Sequence, residues 1–308
     1  MPPSNVEPVI IRSPSGRPLT VAFVGCGGTG RNILAEGLLP DGSARVAVGS
    51  DRLAMASLKT GKLMVASARE LESNAMISSK SVRLAGSEFE KELASSLVGA
   101  DITFIIAGLG GLSGGWGAVV GARAAAVSRS IGFCVASVPF SAEGGSRRER
   151  AATQLKALIQ VADASLVIPN DMILSEAPNL PINSALRVMN SVLASPVNLF
   201  LRSFGSDDLD MLEKHLALGK IMAMDSAEWD RDNAEFAVIE ALGKSRWLEL
   251  GTRKPKSAIL FIEGGGVHGD MAEILRLFLR LAGKDCPVIA ANAGERKQGL
   301  RVTAVVGF

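Results

Sequence analysis

The sequence predicts an α/β fold: a doubly wound, mostly parallel sheet, then a smaller α/β unit, joined by a long central helix. Three observations lead there. Apolar runs alternate with helical patterns from Leu19 to Ile168, the order a parallel sheet requires. Two of those runs end in glycine loops that lead into helices, Gly25-Cys26-Gly27-Gly28-Thr29-Gly30 and Ala107-Gly108-Leu109-Gly110-Gly111-Leu112-Ser113-Gly114-Gly115-Trp116-Gly117. After Gly205 the pattern changes to four strand runs with helices between them.

In chain order, Leu19–Val24 reads as a strand and Gly30–Leu39 as a helix that ends before Pro40-Asp41-Gly42. Arg45–Val48 is a short strand, and Asp51 caps a helix over Leu53–Leu58. Leu63–Ala66 is a strand and Ser67–Leu84 an irregular polar loop. Ser87–Leu97 is an amphipathic helix with Phe89, Leu93 and Leu97 on one face. The strand Ile102–Ile106 leads through the second glycine loop to a helix over Ala118–Ser130. Then follow strand Phe133–Val138, helix Ser146–Val161 and strand Ser165–Ile168. Asn183–Arg202 is a long helix that Pro196 can kink. Beyond it, Ile221–Met224, Ala258–Ile262, Val288–Ala291 and Arg301–Val306 read as strands of a mixed sheet, with helices Asn233–Leu242 and Met271–Leu281.

Composition narrows the function. The 308 residues are 47% apolar and 21% charged, enough for an ordinary core, and the net charge of +2 gives no general pull on polyanions. With no Tyr and 5% aromatics, a base-stacking surface for single-stranded nucleic acid is not expected. Cys26, Cys134 and Cys286 are widely spaced, which fits a reduced, cytoplasmic chain. His215 and His268 have no metal-ligand spacing, so no protein metal site is expected. The uncharged window Ile102–Ala122 holds seven glycines and splits into strand and loop, so it is not read as a membrane span.

Glycine lets backbone approach closely, and free N–H groups at a helix start bind phosphate oxygens. Two such loops imply a cradle for a nucleotide's phosphates. The first alone, Gly25-x-Gly-x-x-Gly30 with Asp51 downstream, also fits a dinucleotide-binding oxidoreductase. That reading leaves the second loop, Glu143 and Arg147 unexplained.

Taken in order, the features resemble the FtsZ/tubulin superfamily of GTP-binding, filament-forming proteins. The resemblance runs from Leu19 to Phe308 and rests on Gly25–Asn32, Gly49-Ser50-Asp51, Ala100-Asp101, Ala107–Gly114, Pro139–Gly144 with Arg147, Ile168-Pro169-Asn170-Asp171, Asp207 with Asp210, and Leu300-Arg301-Val302-Thr303. It implies that Gly27, Gly28, Thr29, Gly108, Gly110, Gly111, Ser113 and Gly114 hold the phosphates of GTP or GDP. Ser113 would offer its hydroxyl to phosphate or to Mg2+-bound water. Glu143 would accept from ribose, Arg147 would add a cation near the phosphates, and Asn170 would join the same pocket. Asn32 and Asn190 would read base and sugar edges. Asp207 and Asp210 would enter the next subunit's site and orient the attacking water, although acids at this helix start also read as caps.

The resemblance divides the chain into a flexible N-terminal tail (1–18), a nucleotide-binding domain (19–180), a connecting helix (181–204) and an assembly domain (205–308). It implies self-association into filaments serving division or membrane remodelling. With the chain stopping at its last strand, a membrane link would use an adaptor protein or Val9-Ile10-Ile11-Arg12, which is too short to anchor alone. The departures fall on the site. Leu112 and Trp116 replace small residues of the second loop, and Ala68-Arg69-Glu70-Leu71-Glu72 replaces a glycine-alanine loop. Leu186 stands for the base-stacking Phe, Ser191 for the guanine-reading Asp, and Gly205 for the Asn before the acids. Two readings follow: a GTPase that assembles head to tail, or a non-hydrolysing relative that keeps the fold and acts as a scaffold.

Overall fold

Apolar runs without alternation become strands covered on both faces, and the unit Leu19–Asn198 is built from them. The computed structural model describes residues 9–40, 44–51, 58, 61–66, 87–177, 179–264, 269–296 and 298–308. Strand β1 (Val9–Arg12) belongs to the other unit. The first unit comprises β2 (Val21–Cys26), α1 (Gly27–Ala35), β3 (Ala44–Gly49), β4 (Lys62–Val65) and α2 (Glu88–Leu97). It continues with β5 (Ile102–Gly108), α3 (Leu112–Val127), β6 (Ile131–Val138), α4 (Gly145–Val161), β7 (Ala164–Pro169) and α5 (Asp171–Glu176). Its six strands are parallel in the order β4-β3-β2-β5-β6-β7. The chain winds outward from β2 through β3 and β4, then returns to β5 and winds the other way. The switch point therefore lies between β2 and β5, where open α/β sheets bind ligands beyond the strands' carboxyl ends.

The core explains several boundaries. Phe23, Phe104 and Phe133 line up across three strands, with ring centroids 6.0 and 5.8 Å apart. Ser87 caps α2 by accepting from Glu90 N, and Phe89, Leu93 and Leu97 are buried as their spacing predicts. Glu90 on the same helix is also buried, paired with Arg123 of α3 at 2.8 Å. Helix α3 starts at Leu112, not at Ala118 as expected, so the second glycine loop is shorter than its sequence suggests. Glycine is a poor helix former in water. Here Gly114, Gly115 and Gly117 sit where a Cβ would strike the Gly108 carbonyl, the Gln154 side chain and Cys26. Close packing outweighs propensity. Helix α1 likewise starts at Gly27 and ends at Ala35, earlier at both ends than expected. The short helix α5 was not anticipated. The expected helix over Leu53–Leu58 and loop over Ser67–Leu84 lie outside the described residues, apart from Leu58 alone.

Helix α6 (Ile182–Ser203) contains the boundary between the two units, which falls at Asn198/Leu199. The second unit holds α7 (Leu209–Leu218), β8 (Ile221–Trp229), α8 (Ala234–Gly243), β9 (Ser257–Gly264), α9 (Gly269–Ala282), β10 (Val288–Gly294) and β11 (Leu300–Gly307). Its sheet is mixed, in the order β1-β10-β9-β11-β8, with β11 antiparallel to both neighbours. Phe200, Phe204 and Phe261 form an aromatic cluster with centroids 5.2–6.1 Å apart.

Part of the tail expected over residues 1–18 is corrected here, residues 1–8 lying outside the described ones. Residues 9–12 form a parallel strand against Val288–Ala291, because a β-branched run satisfies its backbone best at an open sheet edge. That pairing also overturns their reading as a free membrane-directed segment.

His215 of α7 is 2% exposed, and its Nε2 lies 3.0 Å from the Ala258 carbonyl. Burial pushes its pKa down from 6.5 to about 4, although the carbonyl contact favours the charged form. Between those values the unfolded chain binds a proton that the folded chain refuses, so stability is lost as pH falls through this window. A His215→Gln variant is expected to lose about 2 kcal/mol less than wild type between pH 7.5 and 5. Thermal melts of both proteins across that range check it.

Candidate functional site

The first two turns of α1 and α3 form the floor of the site. Neither helix has a side-chain cap or an acidic residue in its first turn. Their first N–H groups therefore point past the carboxyl ends of β2 and β5 with positive dipole ends behind them. The two starts touch through backbone alone. Gly27 has φ +68°, and a Cβ there would lie 2.9 Å from Gly114 N and Cα. A Cβ on Gly114 would lie 2.3 Å from the Gly108 carbonyl, and one on Gly108 would meet Thr29 Oγ1 at 2.5 Å. Gly28 and Gly111 differ: among the described residues, chain neighbours and the helix's own backbone aside, nothing lies within 4 Å of their Cβ positions. Most of the expected phosphate-loop glycines are thus close-packing positions, while Gly28 and Gly111 border space that no described residue fills. Ser113 Oγ is 3.4 Å from the Gly27 Cβ position, so its hydroxyl stands at the junction of the two loops.

Helix α4 holds the second loop, through residues the sequence reading missed. Buried Gln154 accepts from Gly110 N at 2.7 Å and donates to the Gly111 carbonyl at 2.8 Å, and Arg150 donates to the Gly110 carbonyl at 3.1 Å. The Gly110 N–H is therefore engaged by Gln154 in this structure. Arg147 packs beside Gly110 and pairs with Glu143 at 2.8 Å. Glu143 also accepts from Phe140 N at 2.7 Å, which fixes the short turn Ser141–Glu143. Ser141 in turn is held by Asp171 through its N and Oγ at 3.0 and 2.6 Å. Next to Asp171, Asn170 Oδ1 is buried with no hydrogen-bond partner among the described residues. A buried acceptor left open costs stability and suits a ligand hydroxyl or N–H.

Asn32 is exposed on α1, and its Oδ1 accepts from Arg31 at 3.1 Å. Asn190 of α6 is 6% exposed and donates to both carboxylate oxygens of Glu36, at 3.1 and 3.2 Å. Leu112 is 52% exposed at the start of α3. Trp116 is 5% exposed and packs edge-on against Phe89 at 5.0 Å, so the indole lies beneath the loop as core.

Asp207 and Asp210 lie in the second unit, in the short turn Ser206–Asp208 and the first turn of α7. The cap expected of them is made by the acid between: buried Asp208 accepts from Gly205 N at 2.8 Å. Asp207 and Asp210 are exposed, and Asp210 pairs with Lys214 at 2.6 Å. Gly205 has a local reason. A Cβ there would lie 2.0 Å from the Ser15 carbonyl. Residues 15–18 run along this turn, with Ser206 N donating to the Arg17 carbonyl and Arg17 N to Ser206 Oγ. The segment Ala68–Glu72 lies outside the described residues.

Together these features define a class: a parallel α/β unit with two uncapped helix starts converging at its switch point. Residues 20–178 match the Tubulin/FtsZ family, GTPase domain, and the chain belongs to that family. It is 37% identical over 184 residues to cell division protein FtsZ of Methanothermobacter thermautotrophicus, an alignment covering 58% of this chain and 48% of that protein. The chain thus spans about half the length of that curated relative. In fold it is similar to an empty FtsZ dimer of M. jannaschii, with TM-score 0.78 at 22% identity over 94% of this chain and 88% of that one. It is also similar to the GTPgS-bound protofilament of CetZ2 from Haloferax volcanii, with TM-score 0.71 at 19% identity over 94% and 93%. Family membership sets aside the dinucleotide-binding oxidoreductase reading.

Two outcomes follow. Gln154→Ala leaves two backbone groups of the second loop unpaired and is expected to lower stability by about 2–3 kcal/mol in urea unfolding. Gly205→Asn pushes residues 15–17 off the turn, and faster amide exchange at residues 205–207 is the expected sign.

Proposed function

We propose that the chain binds GTP or GDP in the cradle between α1 and α3 and assembles head to tail into filaments. One observation carries the binding reading: two uncapped helix starts meet backbone to backbone, with space at Gly28 and Gly111 that no described residue fills. Backbone N–H groups of residues 27–29 and 111–114 would hold the phosphates. Ser113 would turn its hydroxyl to a phosphate or to water on Mg2+, which would neutralise phosphate charge. Arg147, held by Glu143, would add positive charge at the rim, and Glu143 keeps acceptor capacity for a ribose hydroxyl. Asn170 Oδ1, buried with no partner among the described residues, would be a further acceptor for the ligand.

Hydrolysis would occur where protomers meet. Asp207 and Asp210, exposed and relieved of capping by Asp208, would orient water in the next protomer's cradle and take its proton late in the reaction. Such a filament would work in the cytoplasm, in division or membrane remodelling, with a membrane adaptor protein as a further partner. The scaffold reading keeps binding and assembly without turnover. It draws support from exposed Leu112 and from the Gly110 N–H already committed to Gln154.

Phosphate release per chain is expected to rise with protein concentration, since each site needs two protomers; release that is flat on dilution removes the shared-site mechanism. Asp210→Ala is expected to keep nucleotide affinity and filaments in electron micrographs while phosphate release falls at least tenfold. Filaments with no release from wild type select the scaffold reading.

A further inference from the structure

We propose that Glu36 is the specificity-determining residue of this site, the carboxylate that reads the guanine base; the assignment rests on the nucleotide-binding reading above. Ser191 stands where the resemblance implies a guanine-reading Asp. A hydroxyl cannot accept two parallel N–H bonds as a carboxylate does. Immediately beside it, Asn190 is nine-tenths buried and donates its amide to both oxygens of Glu36. A different carboxylate, from α1, is thus held by the residue next in sequence to the position that lost its own.

Three features set Glu36 apart from an ordinary surface acid. First, its place fits the ligand. Its backbone N–H bonds to the Asn32 carbonyl at 2.9 Å, so it sits one turn beyond Asn32 on the same face of α1. Thr29 to Glu36 spans roughly 10 Å along the helix, about the reach from a nucleotide's phosphates across the ribose to its base. Second, its acceptor capacity is only partly used. The Asn190 amide fixes the carboxylate from the buried side, and Glu36 itself is exposed. A carboxylate accepts about four hydrogen bonds, which leaves a pair for the N1–H and N2–H edge of guanine. Adenine presents an acceptor at N1 and is turned away. Third, a negative charge just past a helix C-terminus is electrostatically unfavourable, and α1 has no basic residue in its last turn to offset it. Helix stability does not explain a Glu there.

Glu36→Gln separates base reading from bracing, because the amide oxygen still accepts from Asn190 while its NH2 opposes the guanine donors. Binding of fluorescently labelled GTP and ATP, with thermal melts, is measured for both proteins. Wild type is expected to prefer GTP, and Glu36→Gln to keep its melting temperature and lose about tenfold or more of that preference. Inosine triphosphate, which lacks the 2-amino group, is expected to bind wild type about tenfold more weakly than GTP, and this arm needs no variant. A variant that folds and still prefers GTP overturns the Glu36 assignment alone, as does equal affinity of wild type for GTP and either other nucleotide. Wild type that binds no nucleotide overturns the assignment and the binding reading together.

Discussion

Contact between bare backbones, where α1 and α3 begin, is the constraint on which the rest depends. Gly27 against Gly114, Gly114 against the Gly108 carbonyl and Gly108 against Thr29 leave no room for a Cβ. That spacing brings two helix starts onto the ends of neighbouring strands, and their unpaired donors face one volume. It also seats α3 tightly on the sheet, so Gly117 meets Cys26 and Gly121 meets Ile105 along its length. The cradle and the core are one packing solution, and substitutions beneath the loop act on both.

The departures from the family pattern resolve into different physical kinds. Trp116 is absorbed by the core, where it fills space beside Phe89. Gly205 makes room for a neighbouring carbonyl. Leu112 is absorbed by nothing among the described residues and stays exposed. Substitutions at one site thus carry unequal weight: Trp116 and Gly205 are accommodated by their neighbours, while Leu112 is left exposed.

The parallel sheet was legible because its strands are uninterrupted apolar runs, a pattern that only double-sided burial explains. In the mixed sheet the same holds for β9, whereas β8 shows its apolar residues only at its start. The start of α3 was not, because local propensity counts glycine as a breaker, while Gly114 and Gly115 answer to Gly108 and Gln154. Three acids within four positions, Asp207, Asp208 and Asp210, gave no local sign of which one caps. Gln154 lies 44 residues from Gly110, and Glu36 lies 154 from Asn190, so no motif links them. Strand β1 was hidden by its polar, proline-bearing flanks and by a partner near the other end of the chain.

That partnership orders events at the ribosome. The strand that residues 9–12 pair with, Val288–Ala291, is made some 280 residues after them. At about 5–20 residues per second, a β-branched ribbon waits roughly 15–55 s with its hydrogen-bonding edge unfilled. Meanwhile every strand described in the unit Leu19–Asn198 has already been made. Strand β1 thus stays without its partner through most of that synthesis, open to capture by chaperones or by neighbouring nascent chains.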